Sequence, residues 1–223
     1  MTLERGHRPV HALAPLGTAP QRGDMPVRSL FETRLYEADL GEDGLLGALA
    51  HSIRVLAGDD EAGRRWSKEH GYAGYTSYAS LNDLPKRDPV FAELAKILTG
   101  HAASFAKECA FDLQRKPRLD SLWVNLLSGA GHHSGHIHPH SIVSGTLYIE
   151  VPNGAGAIRF EDPRLPLMMA APPRQKDAPE ELRSFVTVEP HPGLLLLWES
   201  WLRHEVLPGS GRGDRLSISF NFA

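Results

Sequence analysis

The sequence is short of thiols, of basic runs and of long apolar runs, and each shortage removes a class of function. A single cysteine, Cys109, stands among 223 residues, so the chain forms no internal disulfide and no thiolate zinc cluster, and its cysteine usage calls for no oxidising compartment. No stretch approaches the roughly 20 apolar residues that cross a bilayer as a helix, and the first residues lack the apolar core of a secretory signal. These absences predict a cytoplasmic protein with no membrane partner. The 24 basic and 27 acidic side chains leave a formal charge of −3, and no run of lysine or arginine is long enough to track a phosphate backbone. Nucleic acid is therefore not expected as a partner.

What is present points to one domain. With 41% hydrophobic residues, the chain suffices for one sizeable core, whereas two domains would each be small. Residues 1–25 contain Pro9, Pro15 and Pro20 without a helical or strand period, and are expected to be a flexible tail. Residues 26–223 then form the single domain, with helical support over about 40–115 and a β core over about 118–223. Between 42 and 57, Leu45, Leu46, Leu49, Ile53 and Leu56 recur at helical spacing behind Asp43, whose charge favours a helix start. Asp88 followed by Pro89 predicts a second helix start, continued through Phe91, Leu94, Ile97, Leu98, Phe105 and Cys109.

After Pro117 the period changes to short apolar or alternating runs, which predict strands at 121–127, 144–151, 155–160, 184–189, 194–198 and 215–222. Helices followed by strands predict an α+β domain in which helices brace a sandwich or barrel. The Pro-rich connection 162–183, bearing Met168 and Met169, exceeds an ordinary strand connection and reads as a lid or binding loop.

The densest chemical signal is GHHSGHIHPHS, in which His132, His133, His136, His138 and His140 crowd before a strand. On extended backbone, residues i and i+2 point the same way, so His136 and His138 can converge on one ion. Taken alone, the pair also reads as turn or surface histidines. His204, just beyond the apolar strand 194–198, is the third ligand candidate; by itself it also reads as an exposed loop histidine. Arg215 opens an alternating run in which Arg215, Ser217, Ser219 and Asn221 share one face. An arginine inside a barrel is costly unless a carboxylate meets it, and the far carboxylate of a dicarboxylate cosubstrate, helped by Ser217, is such a partner. An edge strand with Arg215 outside, or paired to a protein carboxylate, is the other reading.

The ordered set of Trp123-Val124-Asn125, HIHPHSIVSGTLYIEVP, FEDPR, PGLLLLWESWLRHEV and RLSISFN resembles the bacterial and phage family of 2-oxoglutarate- and iron(II)-dependent oxygenases of the double-stranded β-helix superfamily. The resemblance covers the C-terminal half closely, and GYTSY at 74–78 extends it. It implies a double-stranded β-helix, jelly-roll or cupin-like, braced by N-terminal helices. It further implies an Fe(II) hydroxylase that uses 2-oxoglutarate and O2. His136 and His204 would be iron ligands, Arg215 and Ser217 would receive the distal carboxylate of 2-oxoglutarate, and Tyr148 and Asn125 would line its pocket. One position departs from the superfamily's common pattern, because His138 stands where a carboxylate usually completes a facial triad. Either three histidines hold the metal, or Glu150, Glu161 or Asp162 folds in and His138 stands behind the ligands.

Rival classes fit less well. Metallo-β-lactamase-like hydrolases need an aspartate and a histidine where His140 and Ser141 stand, and amidohydrolase barrels need helices throughout a longer chain. A cupin-like metal enzyme, or a metal- or ligand-binding β-barrel that does not use 2-oxoglutarate, shares the architecture. It leaves Arg215 and Ser217 without a task, and the cupin glutamate is missing at Ile142-Val143. The expected partner is a small-molecule or peptide substrate, and the oligomeric state, a homodimer included, stays open.

Overall fold

The computed structural model describes residues 27, 29–41 and 44–223. The expected tail at 1–25 and the helix-start Asp43 lie outside them. Contacts divide the chain between Glu32 and Thr33. In the first unit the described residues are exposed and have neither helix nor strand, and the remainder of the fold belongs to Thr33–Ala223.

Three helices form. α1 (Gly44–Asp59) buries Leu46, Leu49, Ala50 and Ile53, the stripe its spacing predicts. α3 (Pro89–Glu108) starts where expected, because the Asp88 carboxylate accepts from the Val90 N–H and Pro89 needs no donor at that position. α2 (Glu61–Glu69) is polar and has no apolar stripe to announce it. Its start is made by Asp60, which accepts from Gly63 N–H, Tyr75 O–H and Ser80 O–H. A side chain at Gly63 would place its Cβ 2.8 Å from the Tyr75 ring, so the close approach itself selects glycine.

Among the described residues ten strands form two antiparallel sheets. β1 (Leu35–Asp39), β2 (Gly74–Thr76), β3 (Leu119–Ser128), β5 (Val143–Glu150), β8 (Leu194–Glu199) and β10 (Asp214–Phe222) make one, in the order β1-β8-β5-β10-β3-β2. β4 (His133–His136), β6 (Ile158–Glu161), β7 (Phe185–Val188) and β9 (His204–Val206) make the other, in the order β4-β9-β6-β7. Consecutive strands from β3 onward largely alternate between sheets, so β3 to β10 form the eight strands of a double-stranded β-helix, with β1 and β2 widening the larger sheet.

Alternation on the larger sheet decides what faces where. Leu216, Ile218, Phe220 and Phe222 join Leu147, Leu195, Leu197 and the buried faces of α1 and α3 in one core. Tyr148, Leu194, Leu196 and Trp198 point the opposite way, into the barrel, where they meet Ile158, Phe160 and Leu202. At roughly 25 cal/mol per Å² of apolar area, the helix-backed core is the main stabiliser of the sheet that carries Arg215.

Candidate metal and cosubstrate site

β4 and β9 pair so that His136 lies directly opposite His204, and His138 follows two residues later with its backbone N–H held by Ser200 O at 3.0 Å. That bond keeps the segment extended, so the i, i+2 geometry holds beyond the strand end. The ligating atoms of His136, His138 and His204 all lie within 4.8 Å of one another. His138 Nε2 and His204 Nε2 are 3.3 Å apart. Two nitrogens each about 2.1 Å from one ion, at about 90–110°, would be about 3.0–3.4 Å apart, so the pair already has a chelating separation.

The backbone fixes which nitrogen faces inward. His204 Nδ1 lies 2.9 Å from Leu202 O and His136 Nδ1 lies 2.7 Å from Ser134 O, so each Nδ1–H donates outward and each Nε2 keeps a lone pair for the site. Burial and the charge of neighbouring His136 push His204 down to about 3 and His138 down to about 4. Neutral imidazole is the form that binds a metal. Trp198 abuts His204 at 4.6 Å between ring centroids and Phe160 at 6.0 Å, giving the cluster an apolar wall. Among the described residues no carboxylate joins it: Glu150 pairs with Arg54, Glu161 with Arg203 and Asp162 with Arg164. Three imidazoles suit iron among other first-row ions and leave positions open on one side.

Arg215 lies on the inner face of β10 and is 4% exposed. Its Nη1 donates to Gly156 O at 2.8 Å, its guanidinium lies 5.6 Å from the centre of the Tyr148 ring, and its Nε has no partner. No protein carboxylate pairs with it among the described residues. Trp198 Nε1 is a second buried donor without a partner on the same inner surface. A buried cation without a carboxylate partner and an orphaned donor suit an anionic, oxygen-rich molecule. Ser217 stands opposite both Asn125 and Tyr148 in the sheet, and is buried. Asn125 is fixed by accepting from Thr76 O–H at 2.8 Å and donating to Ser219 Oγ at 3.0 Å. Burial raises the Tyr148 hydroxyl to about 12, against the pull of Arg215, so it remains a donor.

The sequence reading did not assign Tyr72 or single out a task for His133. Tyr72 O–H and His133 Nε2 are 3.0 Å apart, burial and the nearby Arg215 depress His133 to about 4, and the His133 ring lies 6.5 Å from that of His136. His133 belongs to the histidine cluster visible in the sequence, whereas nothing near Tyr72 marks it. A cleft of about 430 Å³ between Phe111, Ile137, His138 and Trp201 reaches the triad at His138. None of its lining comes from the connection 162–183, where Met169 is 96% exposed.

A family model described as "Putative 2OG-Fe(II) oxygenase" matches residues 121–221. No curated protein matches the chain by sequence. Among solved structures, a Pseudomonas putida prolyl-4-hydroxylase is similar at a TM-score of 0.58 and 18% identity, over 85% of this chain and 92% of that one. The non-heme alpha ketoglutarate dependent epimerase SnoN from nogalamycin biosynthesis gives 0.59 and 16%, over 86% and 78%. HygX from Streptomyces hygroscopicus, crystallised with nickel and 2-oxoglutarate bound, gives 0.52 and 15%, over 86% and 82%. Likeness at these identities concerns the fold, and it agrees with the strand order seen here.

Proposed function

We propose, on the match of residues 121–221 to a 2OG-Fe(II) oxygenase family model, that the chain is a member of that family and a non-haem iron(II), 2-oxoglutarate-dependent hydroxylase of a small-molecule or peptide substrate, acting in the cytoplasm. The observation that carries this reading is the pairing of a convergent three-histidine cluster with an uncompensated buried arginine in one barrel interior. A cupin-like metalloprotein accounts for the first and gives the second no task.

In this reading His136, His138 and His204 hold iron(II), and His138 takes the position that a carboxylate fills in the commoner triad. Iron(II) with 2-oxoglutarate and O2 supplies, when bound, the oxidising chemistry that releases succinate and CO2. The chain's own part is positioning. Arg215 offers its guanidinium fork to the distal carboxylate, with Ser217 as a hydroxyl partner and the Tyr148 ring behind it. Asn125, immobilised by Thr76 and Ser219, and the Tyr72–His133 couple shape the remaining wall. Trp198, Phe160 and Leu202 exclude water on the β9 side. The cleft between Phe111, Ile137, His138 and Trp201 admits the substrate next to His138.

Turnover tests the reading. Protein loaded anaerobically with iron(II) and 2-oxoglutarate, then given O2 and a metabolite extract, is expected to form succinate above a substrate-free background. Absence of succinate with and without extract, at full iron content, would remove the 2-oxoglutarate assignment.

A further inference from the structure

We propose that Trp123, Tyr78 and Trp66 form a one-electron escape route from the metal site to the surface, protecting the site when oxygen reacts without substrate. The inference rests on the hydroxylase reading above and adds a second redox activity to it. The rings lie in one file from His138. His138 and Trp123 have centroids 6.0 Å apart, Trp123 and Tyr78 5.3 Å, Tyr78 and Trp66 6.2 Å, and Trp66 stacks on His70 at 4.1 Å. Three elements contribute to the file: Trp123 comes from β3, Tyr78 from the turn after β2 and Trp66 from α2. The file reaches solvent at Tyr78, which is 53% exposed against 6% for Trp123, and half-buried Trp66 packs beyond it.

The chemistry of the two sides of the triad differs. Trp198 also touches a ligand, His204, but its next ring is Phe160 at 5.3 Å, and a phenyl ring is too hard to oxidise to carry a positive hole onward. Trp123 instead leads to a phenol and a second indole, the side chains that give up an electron most readily after the sulfur residues. Packing alone calls for apolar rings at such positions and sets no preference for redox-active ones.

The steps balance as single-electron transfers. Trp123 gives one electron to the oxidised metal centre, which is reduced by one. Tyr78 refills Trp123 with one electron and releases its phenolic proton to water, which its exposure permits; when the hole passes to Trp66, Tyr78 takes one electron from Trp66 and one proton back from water. A small soluble thiol ends the sequence by returning one electron and one proton to the tyrosyl radical. No carbon bond forms or breaks, and the thiol is oxidised in proportion to the electrons drawn.

The test uses the intact protein loaded with iron(II) and 2-oxoglutarate, exposed to O2 without substrate and frozen at short times. Electron paramagnetic resonance should show a tyrosyl radical in the wild type, and peptide mapping should place oxidation at Tyr78 and Trp66. In Tyr78→Phe the radical signal should be lost, oxidation should move to Trp123 and the 136–138 segment, and iron should be released several-fold faster. Trp123→Phe should abolish the signal from the inner end. Thermal unfolding and initial iron content of Tyr78→Phe serve as the fold control. The same radical and peptide map in the wild type and Tyr78→Phe, or succinate formation with no radical in the wild type, would overturn the route. No succinate at all overturns the hydroxylase reading, and this inference with it.

Discussion

A guanidinium buried inside a barrel needs a negative partner, and Arg215 has instead one carbonyl oxygen and an aromatic face. Its replacement separates the hydroxylase from the cupin-like alternative. Arg215→Lys keeps the charge and loses the planar fork. Hydrogen bonds to charged groups are worth about 1.5–3 kcal/mol, and every 1.4 kcal/mol is about tenfold in affinity. The variant should therefore bind 2-oxoglutarate about ten- to hundredfold more weakly in anaerobic calorimetry, with iron content unchanged. Asp60 offers a residue-scale test of the frame. Burial alone would raise its pKa, but hydrogen bonds from Ser80, Gly63 N–H and Tyr75 outweigh burial and hold it below 3.8. Its ionised form thus stabilises the fold at neutral pH, and that contribution is lost as pH falls from the unfolded value near 3.8 through the folded one. Asp60→Ala should cost about 2–4 kcal/mol in urea unfolding at pH 7, from the lost cap and the stranded Tyr75 hydroxyl. The gap to wild type should narrow in acid, and a gap independent of pH would show that the carboxylate's charge is irrelevant.

At the scale of elements, the strands that carry the candidate metal ligands are the ones hardest to foresee. β4 is four residues of histidine, serine and glycine, and β9 is three residues. Neither offers the alternation of inner polar and outer apolar residues that reveals β10, or the unbroken apolar run that reveals β8. The convergence of the three histidines could still be read, because the i, i+2 rule for His136 and His138 needs only extended backbone, and His204 follows a strand that was evident. β1 and β2 are edge strands of ordinary composition, and α2 depends on Asp60 contacts from 15 and 20 residues away, which no local pattern encodes. The loops are equally silent about their packing. A Cβ at Gly156 would lie 1.8 Å from Leu207 O, and the carbonyl of the same residue holds Arg215. Gly156→Ala should lose about 1–3 kcal/mol of stability and weaken 2-oxoglutarate binding together. Loss of stability with unaltered affinity would separate the loop from the site. The connection 162–183 leaves the end of β6, whose Phe160 packs on His204. Shortening it should raise substrate-free succinate formation while iron binding persists. Unchanged coupling would assign the loop no part in gating.

At the scale of the whole molecule, the two sheets divide the work. The smaller sheet brings His136 and His204 into register, and the larger sheet, backed by α1 and α3, presents Arg215, Ser217, Asn125 and Tyr148 from three neighbouring strands. The proposed function therefore depends on both sheets, and no single strand or motif holds a complete candidate site. None of the helices among the described residues is long and apolar enough to cross a membrane. The central claim is that metal and 2-oxoglutarate meet in this barrel, held by three histidines and one arginine. It is tested most directly by anaerobic titration, following the visible charge-transfer band that arises when a 2-oxo acid chelates iron(II). The account predicts no band with either component alone and a saturable band with both, at one iron per chain. It further predicts loss of iron in His136→Ala and His204→Ala, and a band that needs far more 2-oxoglutarate in Arg215→Ala at unchanged iron content. A band that saturates in Arg215→Ala as in the wild type, or iron retained at wild-type level by both histidine variants, would contradict it.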